Sequence, residues 1–308
     1  MAALRILAAL TLAGAAVGAV FLAVDRVGGR ERVSPAPATG TPGADRAPRE
    51  LPRGGTRLFP EYRVIAFYGT PGTTTLGILG IGPDAAADRL VRQAAAYRTP
   101  HRRVLPAFEL VATVARSEPG EDGLYRRRHP IERIRPYLDA IRRLRGLLIL
   151  DIQPGRSDFM TEVRVYEALL REPDVGLALD PEWHVGPTEV PGRELGSVDA
   201  ATVNQVARYL AGLVRRYDLP QKILVIHQFT EDMIRNPGRI RRPPEVAVVI
   251  DVDGFGDPTT KVVKYQSFVS EDDGFHHGIK LYFERDLGLL APADVLLLQP
   301  EPDLVVYQ

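Results

Sequence analysis

The chain contains no cysteine, which excludes disulfides, thiolate metal sites, a cysteine nucleophile and a lipidated N-terminal cysteine. It also lacks net charge, with 39 Lys and Arg against 39 Asp and Glu, so there is no electrostatic ground for expecting nucleic acid as a partner. A phosphate loop is missing: the turn Tyr68-Gly69-Thr70-Pro71-Gly72-Thr73-Thr74-Thr75 has neither G-x-G-x-x-G spacing nor a Walker lysine. Neither H-E-x-x-H nor His-x-His spacing occurs, so the sequence itself implies no metal and no cofactor. Internal repeats are absent at periods of about 20 to 50 residues. Tryptophan occurs once, as Trp183.

What is present begins with a targeting signal. Ile6 to Val24 is a stretch of 19 residues without a charge, between Arg5 and Asp25-Arg26. That approaches the roughly 18 to 20 residues a helix needs to cross a bilayer. Residues 1–26 therefore read as a signal peptide or an uncleaved signal anchor. The best small-residue cleavage site, Ala36-Pro37-Ala38, lies well downstream, which favours retention. Arg26, Arg30 and Arg32 oppose export under the positive-inside rule. Residues 27–56, rich in Pro, Ala, Gly and Arg without apolar periodicity, favour it, because they read as a flexible surface linker. The expectation is an extracytoplasmic protein, secreted or held at the membrane through its N-terminal helix, and monomeric.

From residue 57 to 308 short β-rich apolar runs alternate with longer amphipathic stretches. Eight strands are predicted: Arg63–Thr70, Arg103–Val111, Leu147–Gln153, Val175–Asp180, Lys222–Phe229, Val246–Val252, Gly278–Glu284 and Val295–Gln299. Each is almost continuously hydrophobic, as parallel strands covered on both faces are. Helical patterns lie between them, over Asp84–Tyr97 (with Asp84 as N-cap), Ile131–Leu144, Met160–Leu170 and Val203–Tyr217. Eight strands with interleaved helices over about 250 residues predict a single (β/α)8 barrel of the TIM type.

Active sites of such barrels lie at the C-terminal ends of the strands. Here those ends carry Tyr68, Glu109, Asp151 and Gln153, then Asp180, Glu182, Trp183 and His184, then His227, Gln228, Asp251 and Asp253, and finally Lys280, Tyr282, Glu284, Gln299 and Glu301. The strand bodies are Val, Ile, Leu and Ala, so the polar residues gather at one end, where burial demands partners or use. Three other polar groups read differently. His276-His277 and Arg126-Arg127-Arg128 read as solvated loops, and Lys280 reads equally well as a salt-bridge partner of Asp251.

Glu182 leads the candidates. It shares strand parity with Asp180, whose like charge raises the pKa of its neighbour, and a raised pKa suits a general acid acting on a glycosidic oxygen. Trp183 beside it offers a face for a sugar ring, and Tyr68 and Tyr282 offer hydrogen-bonding walls. The partner carboxylate stays open at this point. Glu284 would serve as nucleophile in a retaining scheme, Asp251 or Asp253 as base for water at wider separation, and a substrate acetamido group in a third scheme. Glu109, Asp151, Gln153, Trp183, His227, Gln228, Asp253, Lys280 and Gln299 are expected to bind the substrate.

The segments Phe67-Tyr68-Gly69-Thr70-Pro71, Leu76–Gly80, Leu148–Phe159, Leu177–His184, His227–Thr230 and Ile250–Gly256 resemble a family of uncharacterised bacterial exported proteins that look like glycoside-hydrolase-superfamily barrels. Asp180-Pro181-Glu182 is similar to the end of the chitinase D-x-D-x-E motif, with Ala178 where that motif has Asp. A Glu on strand 4 and another on strand 7 is similar to the large retaining clan of barrel glycosidases, with Pro181 in place of its Asn. The resemblance implies a glycoside hydrolase-like protein acting on a cell-envelope or extracellular carbohydrate. The alternatives are a non-catalytic glycan-binding or envelope structural protein on the same scaffold, and a metal-dependent hydrolase built on Asp180, Glu182, His184, His227, Asp251 and Asp253.

Overall fold

A computed structural model of the chain describes residues 49–270 and 274–308. The apolar segment and most of the linker lie outside the described residues. Among those described, no helix is long and apolar enough to cross a membrane.

Eight parallel strands close on themselves. They are β1 (Tyr62–Gly69), β2 (Arg103–Ala115), β3 (Leu147–Ile152), β4 (Val175–Leu179), β5 (Lys222–Gln228), β6 (Val246–Val252), β7 (His276–Leu281) and β8 (Leu304–Tyr307). Each pairs with its neighbours in chain order, and β1 pairs with both β2 and β8, so no barrel edge is left open. Closure removes the exposed ladder that an edge strand would present.

The near-continuous hydrophobicity of the runs follows from burial on both faces. Inward, Val64, Ala66, Leu105, Ala107, Leu147, Ile149, Ala178, Ile223, Val225, Ala247, Val249, Leu304 and Val306 fill the barrel. Outward, Ile65, Phe67, Leu148, Leu150, Leu177, Leu224, Ile226 and Val248 pack under the helices. Each Val, Leu, Ile or Phe among them contributes about 1.5–3 kcal/mol on full burial. The longest helices on the outside are α1 (Pro83–Ala95), α2 (Ile131–Arg143), α3 (Ala200–Tyr217) and α4 (Pro258–Phe268). Asp199 Oδ1 accepts from Ala201 N at 2.8 Å to start α3, and Asp257 caps α4 through Thr259 N and Thr260 N. At α1 the cap residue is Gly82, with Pro83 in the first turn, so Asp84 lies inside the helix rather than before it.

Several expectations need correction. The eighth strand is Leu304–Tyr307; Val295 closes a short helix, Pro292–Val295, and Leu297 is exposed in the turns that follow. His276-His277 opens β7: His277 is buried, and His276 Nδ1 lies 2.7 Å from Asp303 Oδ2. Arg126–Arg128 forms a short strand antiparallel to β2, and Arg126 and Arg128 both donate to the buried carboxylate of Glu162 at 2.7–2.9 Å. Residues 49–56 are not free linker. Leu51 is buried with the inner cluster, Arg53 donates to Val104 O and Leu144 O, and Thr56 O accepts from Gln221 N. They close the N-terminal end of the barrel, opposite the mouth.

Candidate functional site

Barrel register brings the polar strand ends to one level. Tyr68 pairs with Glu109, His227 with Asp251, and Asp251 with Gly278. Because alternate residues face inward, Tyr68, Glu109, Asp151, Asp180, His227, Asp251 and Lys280 all enter the same space above the aliphatic filling. Gly278 makes that possible: a Cβ there would stand 2.5 Å from Asp251 Oδ1.

The side chains form one network. Tyr68 Oη donates to Asp151 Oδ2 at 2.9 Å and accepts from Gln153 Nε2 at 3.0 Å, and the same amide reaches Asp180 Oδ2 at 3.2 Å. Gln153 is itself oriented by Ala115 N, which donates to its Oε1 at 3.2 Å. His227 Nε2 lies 2.7 Å from Glu109 Oε1, while Nδ1 lies 3.2 Å from Asp251 Oδ2 and 3.4 Å from Asp253 Oδ2. Lys280 Nζ donates to Asp253 Oδ2 at 3.0 Å and sits 3.7 Å from the centre of the Tyr68 ring. Asp253 Oδ1 accepts from the Tyr282 hydroxyl and from Gly254 N. Lys280 therefore serves Asp253 by direct contact, not Asp251.

Burial and charge divide these groups. Asp151, Asp180 and Asp251 are pushed up, first by burial, with like-charge repulsion adding to it: Asp180 on Asp151, Asp253 on Asp180, and Glu109 and Asp253 on Asp251. For Asp253 burial acts the same way but loses to Lys280 and His227, which hold its carboxyl well below the usual range. His227 is raised: burial, the largest effect, opposes its charge, and Glu109 with Asp251 and Asp253 together outweigh it. Glu182 sits just past β4 in the turn Pro181–Trp183, half-buried, and is pushed up to about 8 by burial, then by Asp180 and Asp253. Its neighbour Trp183 is half-buried with its ring over Gly192.

The structure does not bring every expected residue to this space. Glu284 is exposed in the turn after β7, which ends at Leu281. Gln299 is exposed in the connection into β8, at the opposite end of the barrel, where Glu301 pairs with Arg63 at the start of β1. Gln228 has the parity opposite to His227, and its amide turns to Thr230 O at 3.4 Å. His184 Nδ1 lies 2.8 Å from Ser197 O and its ring packs on Phe159, so it leaves the carboxylate cluster. Three participants were missed. Lys264 on α4, lowered to about 8 by burial, lies over Phe229 at 4.0 Å and feels Asp253 and Glu182. Lys261, also on α4, donates to Gly254 O at 2.6 Å. Phe255 is exposed beside Tyr282, ring centres 6.1 Å apart. An exposed aromatic in the Asp251–Gly256 loop was a legible signal; the two helix lysines gave none.

The fold and these strand-end residues define a TIM-type barrel with an acidic mouth. No protein-family profile matches the chain, and no curated protein does, so the exported family it resembles in sequence gains no support. Solved structures with some similarity to the chain include a mutant form of Thermotoga maritima Cel5A in complex with cellobiose, at 8% identity over 80% of this chain and 88% of that one, TM-score 0.42. Others are a hyperthermophilic endo-β-1,4-glucanase (8% identity, 66% and 77% covered, TM-score 0.36) and a Ruminococcus gnavus sialic acid aldolase (10% identity, 82% and 68% covered, TM-score 0.38). At these values the likeness carries no argument about this chain.

Proposed function

We propose that the barrel is an extracytoplasmic glycoside hydrolase in which Glu182 is the general acid. The observation that carries this reading is the position of Glu182: it is the one carboxyl of the cluster that solvent reaches, it has no cation bound to it, and its pKa is lifted to about 8. A carboxyl in that state keeps a proton at neutral pH and can deliver it to a leaving oxygen. Asp253, held by Lys280, Tyr282 and Gly254 N, is the ionised counterpart. With both its oxygens engaged it suits orienting water or stabilising positive charge better than direct attack on carbon. Trp183 and the exposed Phe255 supply flat apolar faces of the kind sugar rings stack on. The uncharged run Ile6–Val24 favours a cell-envelope or extracellular glycan as the target.

One observation favours a second reading, a glycan-binding barrel without turnover: every carboxylate of the cluster except Glu182 is buried. One experiment separates them. The full-length protein and Glu182→Gln are incubated with envelope and plant polysaccharides, and both bound polymer and new reducing ends are measured. Hydrolysis predicts products from the wild type and a loss of about 10²–10⁴-fold in the variant. Equal product release by both proteins removes Glu182 from the chemistry; binding by both without products establishes the second reading.

A further inference from the structure

Beneath Glu182 the mouth holds more anionic oxygen than its cations satisfy. Five buried carboxyls, Glu109, Asp151, Asp180, Asp251 and Asp253, share the space with Lys280 and His227. The ammonium of Lys280 is taken up by Asp253 and the face of Tyr68. Glu109 Oε2, Asp151 Oδ1, Asp180 Oδ1 and Asp251 Oδ1 have no hydrogen-bond partner, and Asp251 Oδ2 has only the 3.2 Å contact with His227 Nδ1. An unmet buried acceptor costs about 1–3 kcal/mol, more when charged, so several in one place call for a ligand.

We propose that Glu109, Asp151 and His227 hold a divalent transition-metal ion, Zn²⁺ or Mn²⁺, in the floor of the mouth. One ligand atom from each lies within 4.8 Å of the others, and the three come from β2, β3 and β5, so the rigid barrel fixes their spacing. Two carboxylates with an imidazole form a mixed donor set that suits these ions, whereas Ca²⁺ and Mg²⁺ take oxygen alone. Asp151 is already oriented, with Oδ2 held by Tyr68 and Oδ1 free. Such outer hydrogen bonds are what aim a ligand at its metal. Asp251 is the independent sign. It lies outside the triad and is fully buried; Oδ2 stands 3.2 Å from His227 Nδ1 in an ion pair, and Oδ1, in room that Gly278 leaves open, has no partner. The competing account, that protons alone neutralise the excess charge, requires that no ion bind. Glu182 is no part of the ligand set, so the inference stands apart from the hydrolase reading.

The test uses the full-length protein stripped with a chelator. Zn²⁺, Mn²⁺, Ca²⁺ and Mg²⁺ are titrated calorimetrically, and Co²⁺ by visible absorption. The expected result is one saturable equivalent of Zn²⁺ or Mn²⁺, a ligand-field band with Co²⁺, and affinity weakened by about 10–100-fold or more in Asp151→Asn and His227→Gln. Glu182→Gln binds the ion as the wild type does, even if glycan hydrolysis is never observed. Absence of saturable binding overturns the proposal, as does unchanged affinity in Asp151→Asn. Should the variants fail to fold, the wild-type Co²⁺ spectrum decides, because a spectrum of hexa-aquo Co²⁺ at saturation excludes the site.

Discussion

His227 on β5 reaches across the barrel interior to Glu109 on β2, Nε2 to Oε1 at 2.7 Å, with both side chains sealed from solvent. The pair joins strands three apart around the barrel, so it ties together parts of the sheet that share no ladder. Glu109, with Asp251 and Asp253, keeps His227 charged against its burial. Removing His227 strands the buried Glu109 carboxylate, which costs about 3–5 kcal/mol, whereas replacing both by apolar groups costs far less. In chelator, His227→Leu is therefore expected to lower the unfolding free energy by that amount, and Glu109→Leu/His227→Leu by much less than the sum of Glu109→Leu and His227→Leu. Urea titration of the four proteins checks this; additive losses would show that the two side chains are not an ion pair.

Glu182 gives a pH signature opposite in sign to that of an ordinary carboxylate. Its folded pKa of about 8 stands above the usual 4.5, so the folded state keeps a proton that the unfolded state releases. The associated stability is complete below about 4.5 and is lost as pH rises through 8. Glutamine mimics the protonated acid at every pH. Glu182→Gln should melt with the wild type near pH 4.5, and above it by about 2–4 °C at pH 8.5, the equivalent of about 1 kcal/mol once solvent screening of a half-buried group is allowed for. Scanning fluorimetry across this range reads the divergence, and parallel curves would refute it.

Gly278 faces Asp251 so closely that a methyl group does not fit: the added Cβ would lie 2.5 Å from the Asp251 side-chain Oδ1 and 3.2 Å from its backbone Cα. A carboxylate can turn aside, but the main chain cannot, so the strands themselves must part. Gly278→Ala is expected to destabilise by about 1–3 kcal/mol, and to reduce whatever activity or ion binding the mouth supports more than an equally destabilising change on the helical shell would. A variant with wild-type stability would mean that Asp251 is free to rotate away.

Most of the barrel was legible because parallel strands buried on both faces need unbroken aliphatic runs, and seven of the runs are such strands. Val295–Gln299 misled because a short apolar run has no period to distinguish strand from helix. The true last strand, Leu304–Tyr307, is only four residues long and follows Pro302-Asp303. Position at the strand ends named Asp151, His227, Asp251 and Lys280, and the structure brings them together because each lies on a strand and faces inward. The same reading failed at Glu284, because β7 stops at Leu281, and the shared parity of Asp180 and Glu182 carries no meaning once β4 has stopped at Leu179. Gln299 failed with the strand it was assigned to. The triad of Glu109, Asp151 and His227 has no spacing signature at all: its members lie on three strands, and only barrel closure brings them together.

Lys222, at the other end of β5, tests burial where no function is involved. It is fully enclosed, and Nζ donates to Val175 O at 2.7 Å and to Glu172 O. Burial lowers its pKa to about 7, against the pull of Asp174 and Glu172. A neutral amine has two N–H groups, which match the two carbonyls, so deprotonation loses no hydrogen bond and removes a buried charge. Between pH 7 and 10.5 the unfolded chain carries a proton that the folded one lacks, and stability from this group rises with pH. Lys222→Met neither titrates nor donates. The wild type should therefore gain on the variant steadily from about pH 7 to about pH 9.5 in urea unfolding, and a difference that stays constant across that range would show the lysine charged in the fold.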